Sequence, residues 1–305
     1  MSISLITYMT KLKSAISPKL SIVILNHDTK KMLSDCLSSV KRYLKEVSAE
    51  VIVSDNASTD GSVRMIRNKF PWVRLIEGPN IGFANGNNRV KNMVLGEYVL
   101  FLNSDTIVLK DAFGQTTKYL DSHENVGAIT CKLLLANGNL DKDVRRRFPT
   151  PWISFNRLFL KNGKRYWYED VSPDTVHEVD AIQGAFFLTR KKLLDRVGWL
   201  DERYIWNGED IDLSFQIKKL GYKIIYYPKV SIIHLKGATV GKIKNTSHKI
   251  DPALKLARKM EAVNSMEKFY RKNLWPNYPL MFNYFVLCGI FFLKALRYIQ
   301  FKFKK

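Results

Sequence analysis

The residues best placed to do chemistry are an aspartate at the end of an apolar run, an acidic cluster farther along, and a single histidine. Tyr98-Val99-Leu100-Phe101-Leu102 leads directly into Asn103-Ser104-Asp105-Thr106. A buried strand ending in a carboxylate delivers it to the carboxyl edge of a sheet, where open α/β folds bind ligands. Asp105 is therefore expected to anchor a divalent cation, Mg²⁺ or Mn²⁺, against a diphosphate, since one or two carboxylates plus substrate phosphate suffice for such ions. Departure of a diphosphate from a sugar carbon builds negative charge that a cation neutralises. Glu209-Asp210-Ile211-Asp212 opens an amphipathic helix, with its acids near the positive end of the helix dipole. An attacking hydroxyl needs a base within hydrogen-bond reach. Asp210 is the expected base, Glu209 the alternative, and Asp212 a cap or support. His234 closes a later strand and is expected either to complete the cation site or to hydrogen-bond the diphosphate, although a lone histidine is also a common structural residue.

Other polar clusters fit around these. Val51 to Ser62 runs from a strand into the turn Ser54-Asp55-Asn56-Ala57-Ser58-Thr59-Asp60-Gly61, where Asp55 can accept hydrogen bonds from a base imide or a ribose hydroxyl, and Asn56 lies beside it. Asn80-Ile81-Gly82-Phe83-Ala84-Asn85-Gly86-Asn87-Asn88 opens a helix with amides and small residues that permit close backbone approach. Asn80, Gly82, Asn87 and Ser104 complete the expected nucleotide contacts. Gly184 and Ala185 are expected to shape a wall against the donor sugar, and Asp201 with Trp206 to offer a carboxylate and an aromatic platform to an acceptor sugar. Arg145, Arg146 and Arg147 form either a phosphate clamp or a solvated loop. The chain contains neither a GxGxxG fingerprint nor a GxxxxGK[ST] loop, which removes support for nicotinamide enzymes and P-loop ATPases.

The elements that must position these groups follow from periodicity. From Leu20 onward, short β-rich runs alternate with helical patterns, the mark of βαβ units and a mostly parallel sheet. Strands are expected at Leu20–Leu25, Glu50–Ser54, Val73–Ile76, Tyr98–Leu102, Val179–Thr189, Lys223–Tyr227 and Val230–His234. Helices are expected at Thr29–Leu44, Ser62–Phe70 with Asp60 as its cap, Phe83–Leu95, Lys191–Val197, Asp210–Leu220 and Ala253–Lys272. Leu133 to Thr175, with its three prolines, breaks the pattern and is expected to form loops and short helices. This divides the chain into an extension (1–19), an α/β domain (20–240) with a nucleotide-binding half (20–130) and an acceptor half (131–240), and a basic, apolar tail (241–305).

At 305 residues with 46% apolar content the chain can fill a substantial core. Cys36, Cys131 and Cys288 are widely spaced and odd in number, which disfavours a disulfide framework and fits a reducing compartment. The net charge of +21 is concentrated late, because residues 218–305 hold 19 Lys and Arg against three acids. Such a surface seeks anionic lipid, a phosphorylated acceptor or nucleic acid. Leu280 to Leu293 is apolar and aromatic and precedes Lys294, Arg297, Lys302, Lys304 and Lys305. This run is shorter than the ~20 residues that span a bilayer, so an interfacial helix with basic anchors is expected on an anionic membrane surface. Met1 to Pro18 shows no basic n-region ahead of its apolar stretch and so does not read as a secretory signal.

Taken in order, Ser54-Asp55-Asn56-Ala57-Ser58-Thr59-Asp60-Gly61-Ser62, Asn80-Ile81-Gly82-Phe83-Ala84, Leu102-Asn103-Ser104-Asp105-Thr106, Gly184-Ala185, Leu200-Asp201-Glu202 and Glu209-Asp210-Ile211-Asp212-Leu213 resemble the family 2 inverting glycosyltransferases of the GT-A fold, most closely the bacterial rhamnosyltransferase-like branch. The match runs from about Leu20 to Thr239. The resemblance implies that Asp55 contacts the nucleotide, Asp105 the cation, and Asp210 acts as base in a single inverting displacement. Asn103 stands where many members carry another Asp, which leaves a site poor in acids. A nucleoside-diphosphate sugar donor is implied, with dTDP-L-rhamnose as first guess. The expected acceptor is a saccharide on a polyprenyl diphosphate, met at the cytoplasmic face of a bacterial inner membrane by a peripheral or monotopic enzyme that does not bind nucleic acid. Two other readings stay open: a non-catalytic carbohydrate- or nucleic-acid-binding protein that uses the basic third, and a nucleotidyltransferase on a similar sheet, against which stands the lack of a glycine-rich loop with a basic residue after the first strand.

Overall fold

Apolar runs of β-branched residues place β1 (Leu20–Asn26) at the heart of the sheet, with Ile22, Val23 and Ile24 fully buried. The computed structural model describes residues 17–236 and 252–303. Most of the expected extension, the segment 237–251 with the end of the family match at Thr239, and Lys304 and Lys305 lie outside the described residues. After β1 come α1 (Lys30–Tyr43), β2 (Ala49–Asn56), α2 (Ser62–Lys69), β3 (Arg74–Gly78), α3 (Phe83–Asn88), β4 (Tyr98–Asn103), β5 (Thr106–Val108), α4 (Ala112–Ser122) and β6 (Val126–Leu135). The second half adds β7 (Arg145–Arg146), α5 (Pro151–Leu158), β8 (His177–Glu178), β9 (Ala181–Ile182), β10 (Phe186–Arg190), α6 (Lys191–Val197), α7 (Glu209–Lys219), β11 (Lys223–His234), α8 (Pro252–Phe269) and α9 (Leu280–Lys302).

The central sheet has the order β3-β2-β1-β4-β10-β6-β11-β5, with β8 beside β11. Pairing is parallel from β3 through β4, as βαβ crossovers require. Beyond β4 it becomes mixed, because β10 runs antiparallel to both β4 and β6 while β6 and β11 are parallel. β7 and β9 form a separate small pair.

Several boundaries differ from the sequence expectation for local reasons. The helix expected over Phe83–Leu95 ends at Asn88, whose side-chain amide instead bonds the Leu200 carbonyl and accepts from the Leu200 N–H. The single strand expected over Val179–Thr189 is split at Gln183-Gly184-Ala185, where the backbone leaves one sheet for the other. The two late strands merge into β11, with a register shift at Pro228, which lacks a ladder donor. The apolar tail is longer than its fourteen-residue core: α9 extends through Lys294 and Arg297 to 23 residues, enough by length and composition to cross a membrane.

Charged residues late in α9 are accommodated because they bond α8. Lys294 pairs with Glu267 at 2.7 Å and Arg297 donates to the Lys259 carbonyl at 2.7 Å, so the two helices pack as an antiparallel hairpin. Five residues of π-helix, Tyr270–Leu274, join α8 to the turn. From it Lys272 and Asn273 reach the buried Asp212 carboxylate at 2.7 Å each, and Phe269, Tyr270 and Leu274 pack on Phe148 and Phe215. Asp212 thus fastens the tail to α7. Some cations of the tail are paired within it, as Lys268 with Glu261 and Arg271 with Glu267 illustrate.

Candidate functional site

Strand register brings Asp105 and His234 together. β5 pairs antiparallel with β11 so that His234 lies opposite Thr106, and the Leu235 N–H bonds the Asp105 carbonyl at 2.8 Å. His234 Nε2 then stands 3.4 Å from Asp105 Oδ1. On its other side Nδ1 faces Asp141 Oδ2 at 2.9 Å, a residue that the turn after β6 folds back, with its own N–H on the Leu133 carbonyl. Burial disfavours a charged imidazole at His234, yet the Asp105 and Asp141 carboxylates outweigh it and raise the group to about 9.

The acidic cluster is positioned by the start of α7. Gly208 precedes it with φ of +100°, and a Cβ there would fall 2.9 Å from the Tyr204 ring, so glycine is needed for the chain to turn into the helix. Asp210 accepts from Arg146 at 2.7 Å, from the Gly184 N–H at 3.2 Å and from the Ile211 N–H at 2.7 Å. The Arg146–Asp210 pair is buried on both sides. Burial opposes the Arg146 charge, but the neighbouring Asp210 more than compensates and holds the guanidinium above its usual range. Glu209 is the opposite case: burial, reinforced by the Asp210 charge, pushes its carboxyl well above the usual carboxylate range, and its Oε2 has no hydrogen-bond partner. Glu209 therefore holds its proton more tightly than a free carboxyl does, which disfavours it as the group that accepts one.

Both ends open on one cavity of about 640 Å³, whose walls include Asp105, Ser104, Glu209 and Asp210. Asn56, Asn80, Gly82, Gly184, Ala185 and Trp206 line it as well. Gly82 is required by the protein's own backbone: its φ is +88°, a Cβ would lie 2.9 Å from the Ile205 carbonyl oxygen, and Phe83 N–H bonds that same oxygen. Ser104 is held by a 2.9 Å bond from the Thr29 hydroxyl.

Four expected residues stand outside the cavity wall, and His234, which faces Asp105, is the first of them. Asp55 is buried behind the wall, where its carboxylate accepts from Asn26 and from the Ser58 N–H and hydroxyl. Asn87 donates to the Phe83 carbonyl inside its own helix. Asp201 is bound by Arg203 and Lys272, which, against the opposing effect of burial, hold its carboxyl well below the usual range.

The arginine triplet is not a solvated loop, and Arg146 lines the cavity. Arg145 and Arg146 are buried in β7; Arg145 donates to the Val171 and Ser172 carbonyls, and Arg147 grips Asp170 through two bonds of 2.7 Å. Sequence reasoning missed Asp141, Asp143 and Lys236 altogether. Lys236 bonds both Asp141 and Asp143, and Asp143, against the cost of burial, is drawn down to about 2 by the Arg146 and Lys236 charges. Alternating charges therefore run from Asp210 through Arg146, Asp143, Lys236, Asp141 and His234 to Asp105. No spacing rule could have revealed this, since its members come from separate turns.

Among the described residues no group of three or more His, Cys, Asp and Glu side chains converges as a complete metal cage. The Asp105–His234 pair nonetheless fits a cation that takes its remaining ligands from a diphosphate and water. Asp141 on the far nitrogen is the usual outer partner of a ligating histidine, fixing which nitrogen faces the ion.

The family model described as glycosyltransferase-like family 2 matches residues 18–248. The rhamnosyltransferase WbbL of Escherichia coli is 28% identical over 209 residues, covering 64% of this chain and 78% of that protein. The N-acetylglucosaminyl-diphospho-decaprenol L-rhamnosyltransferase of Mycobacterium tuberculosis is 24% identical over 248 residues, covering 72% and 76% respectively. Among solved structures, the mannosyltransferase PcManGT of Pyrobaculum calidifontis, in complex with GDP-Man and Mn²⁺, superposes with a TM-score of 0.57 at 18% identity over 94% of this chain and 76% of its own. The shared fold is the mixed α/β GT-A architecture.

Proposed function

Since this chain belongs to the glycosyltransferase-like family 2, we propose that it is an inverting, cation-dependent enzyme that moves a sugar from a nucleoside-diphosphate donor to a saccharide carried on a polyprenyl diphosphate. L-rhamnose from dTDP-L-rhamnose is the first donor to test, in keeping with the two rhamnosyltransferases among its relatives. The setting is bacterial surface-polysaccharide synthesis. The observation that carries this reading is the single cavity walled at one end by Asp105 and at the other by Asp210.

In this reading Asn56, Asn80 and Ser104 face the nucleotide, and Asp55 supports their wall from behind. Asp105 and His234 hold the cation, whose chemistry is to offset the charge that develops on the departing diphosphate. The acceptor hydroxyl enters from the Trp206 side. Its oxygen bonds to the anomeric carbon as the carbon–diphosphate bond breaks, and its proton passes to the Asp210 carboxylate, with inversion at that carbon. Arg146, Gly184 and Ile211 keep Asp210 aimed at the cavity while this happens.

A thermal-shift screen of nucleoside-diphosphate sugars tests the donor. The cognate donor with Mn²⁺ at 100 times its Kd is expected to stabilise the fold by about 2.7 kcal/mol, and the same donor with chelator by far less. Equal shifts with and without Mn²⁺ would remove the cation from the reading.

Placement at the cytoplasmic face of the inner membrane, as a peripheral or monotopic protein, is favoured by the way α9 packs. Its carboxyl half is bonded back to α8 and brings Arg297 to the catalytic cavity, while Met281 and Phe291 remain exposed. A helix so attached lies along the domain at the lipid surface. Met281→Glu combined with Phe291→Glu is expected to cut co-sedimentation with anionic vesicles by about tenfold, as the loss of two apolar anchors implies, with donor affinity retained. Undiminished co-sedimentation would exclude α9 as the anchor.

A further inference from the structure

Beside the catalytic cavity lies a second cavity of about 380 Å³, a groove between α5 and α9 walled almost wholly by apolar side chains. Trp152, Phe155 and Phe159 form one side and Phe282, Phe285 and Ile290 the other. Pro149, Leu158 and Met266 line both cavities, so the groove adjoins the catalytic one. Several of these walls are substantially exposed, Trp152 at 62% and Phe285 at 75%, which is unfavourable in water without an apolar occupant.

Charge at the junction identifies the polar part of that occupant. Arg157 and Arg297 both line the catalytic cavity on the groove side. Arg157 lies over the Tyr166 ring at 4.0 Å, and Arg297 makes its bond to a backbone carbonyl. Neither has a carboxylate partner among the described residues. Two guanidiniums that line one space, neither of them ion-paired with a carboxylate, form a site for a phosphate group, which guanidinium binds with paired hydrogen bonds.

Resting on the lipid-linked acceptor read above, we propose that the α5–α9 groove holds the first isoprene units of a polyprenyl diphosphate, that Arg157 and Arg297 bind its diphosphate, and that its saccharide is thereby presented to Asp210. The order apolar groove, arginine pair, carboxylate base repeats the order lipid, diphosphate, sugar hydroxyl along such an acceptor. Gly289 sits on α9 facing the groove, and a Cβ there would meet nothing within 4 Å, so the groove can be filled from this position without disturbing the packed core.

The test uses the full chain in mild detergent with geranylgeranyl diphosphate as probe, beside geranylgeraniol, inorganic pyrophosphate and phosphatidylglycerol. Geranylgeranyl diphosphate is expected to bind at least about tenfold more tightly than any of the other three, and Arg157→Ala and Arg297→Ala each to weaken it by about tenfold. Gly289→Trp is expected to weaken it comparably and to leave dTDP affinity unchanged. Unaltered binding in all three variants overturns the assignment. So does equal binding of phosphatidylglycerol or geranylgeraniol, which would make the groove a bilayer contact. The reading beneath it fails in a different way: geranylgeranyl diphosphate binds as expected, but the wild type glycosylates only a lipid-free saccharide and never a polyprenyl-diphosphate-linked one.

Discussion

Asp210→Asn is expected to lower turnover by about 10³-fold, within the range removed with a general base, while the affinity for donor and Mn²⁺ stays near that of the wild type. The amide keeps the shape of the carboxylate, but its single oxygen can accept from only one of the Gly184 and Ile211 N–H groups, which bond different carboxylate oxygens in the wild type. It can no longer take the acceptor proton. It also leaves Arg146 without its nearest counter-charge in a buried setting, and breaking such a pair from one side costs about 3–5 kcal/mol. Turnover must therefore be measured below the lowered unfolding transition. Adding Arg146→Met to Asp210→Asn removes the unpaired charge and is expected to restore part of the stability but none of the turnover. Near-normal transfer by folded Asp210→Asn would move the base to another residue. Glu209 is then the first to examine, at a pH high enough to deprotonate it.

Asp105→Ala carries the second large effect. It is expected to abolish the Mn²⁺-dependent part of donor binding and to reduce transfer by about 10³-fold, because loss of a cation at a diphosphate removes several kcal/mol of charge stabilisation. The wild type should show a characteristic pH dependence at the same site. His234 is raised to about 9 by its two flanking carboxylates, against the effect of burial. Below that pH the imidazolium occupies the space between Asp105 and Asp141 and must lose its proton before Nε2 can face a cation. Apparent Mn²⁺ affinity is therefore expected to rise by about tenfold per pH unit from 7 towards 9 and then to level off. Without the cation the sign is reversed for stability: the raised His234 contributes fully below its unfolded value and loses that contribution as pH climbs through about 9. Titration of Mn²⁺ at several pH values, with Asp141→Asn as a variant that weakens the hold on Nδ1, checks both halves. A flat profile would place the cation away from His234.

Local pattern made much of this protein legible. The alternation of β-branched runs with helical faces located the strands of the parallel half to within about two residues, because side-chain periodicity is imposed by the backbone itself. The same runs ended in the polar residues that edge the cavity, so Asn56, Ser104, Asp105, Glu209 and Asp210 could be named as candidates from their positions alone. Gly82 was visible as a small residue that permits close backbone approach, although the reason for it, a close Ile205 carbonyl, was not.

What tertiary structure alone decided is how the charges pair. Arg146 meets Asp210 across 64 positions and Asp141 meets His234 across 93, and each meeting depends on strand order and register, not on neighbours in the chain. Asp55 and Asp201 show the converse: both have the residue type and turn placement of a ligand contact, yet nearby donors in the folded chain take up their carboxylates. The groove beside the site is likewise invisible in sequence, since α5 and α9 are far apart in the chain and share a wall only after the sheet and the α8–α9 hairpin have formed. Periodicity and punctuation are properties of a few consecutive residues and can be read along the chain. Burial, counter-charge and cavity shape belong to surfaces brought together by folding, and they determine which candidate acid is free to act.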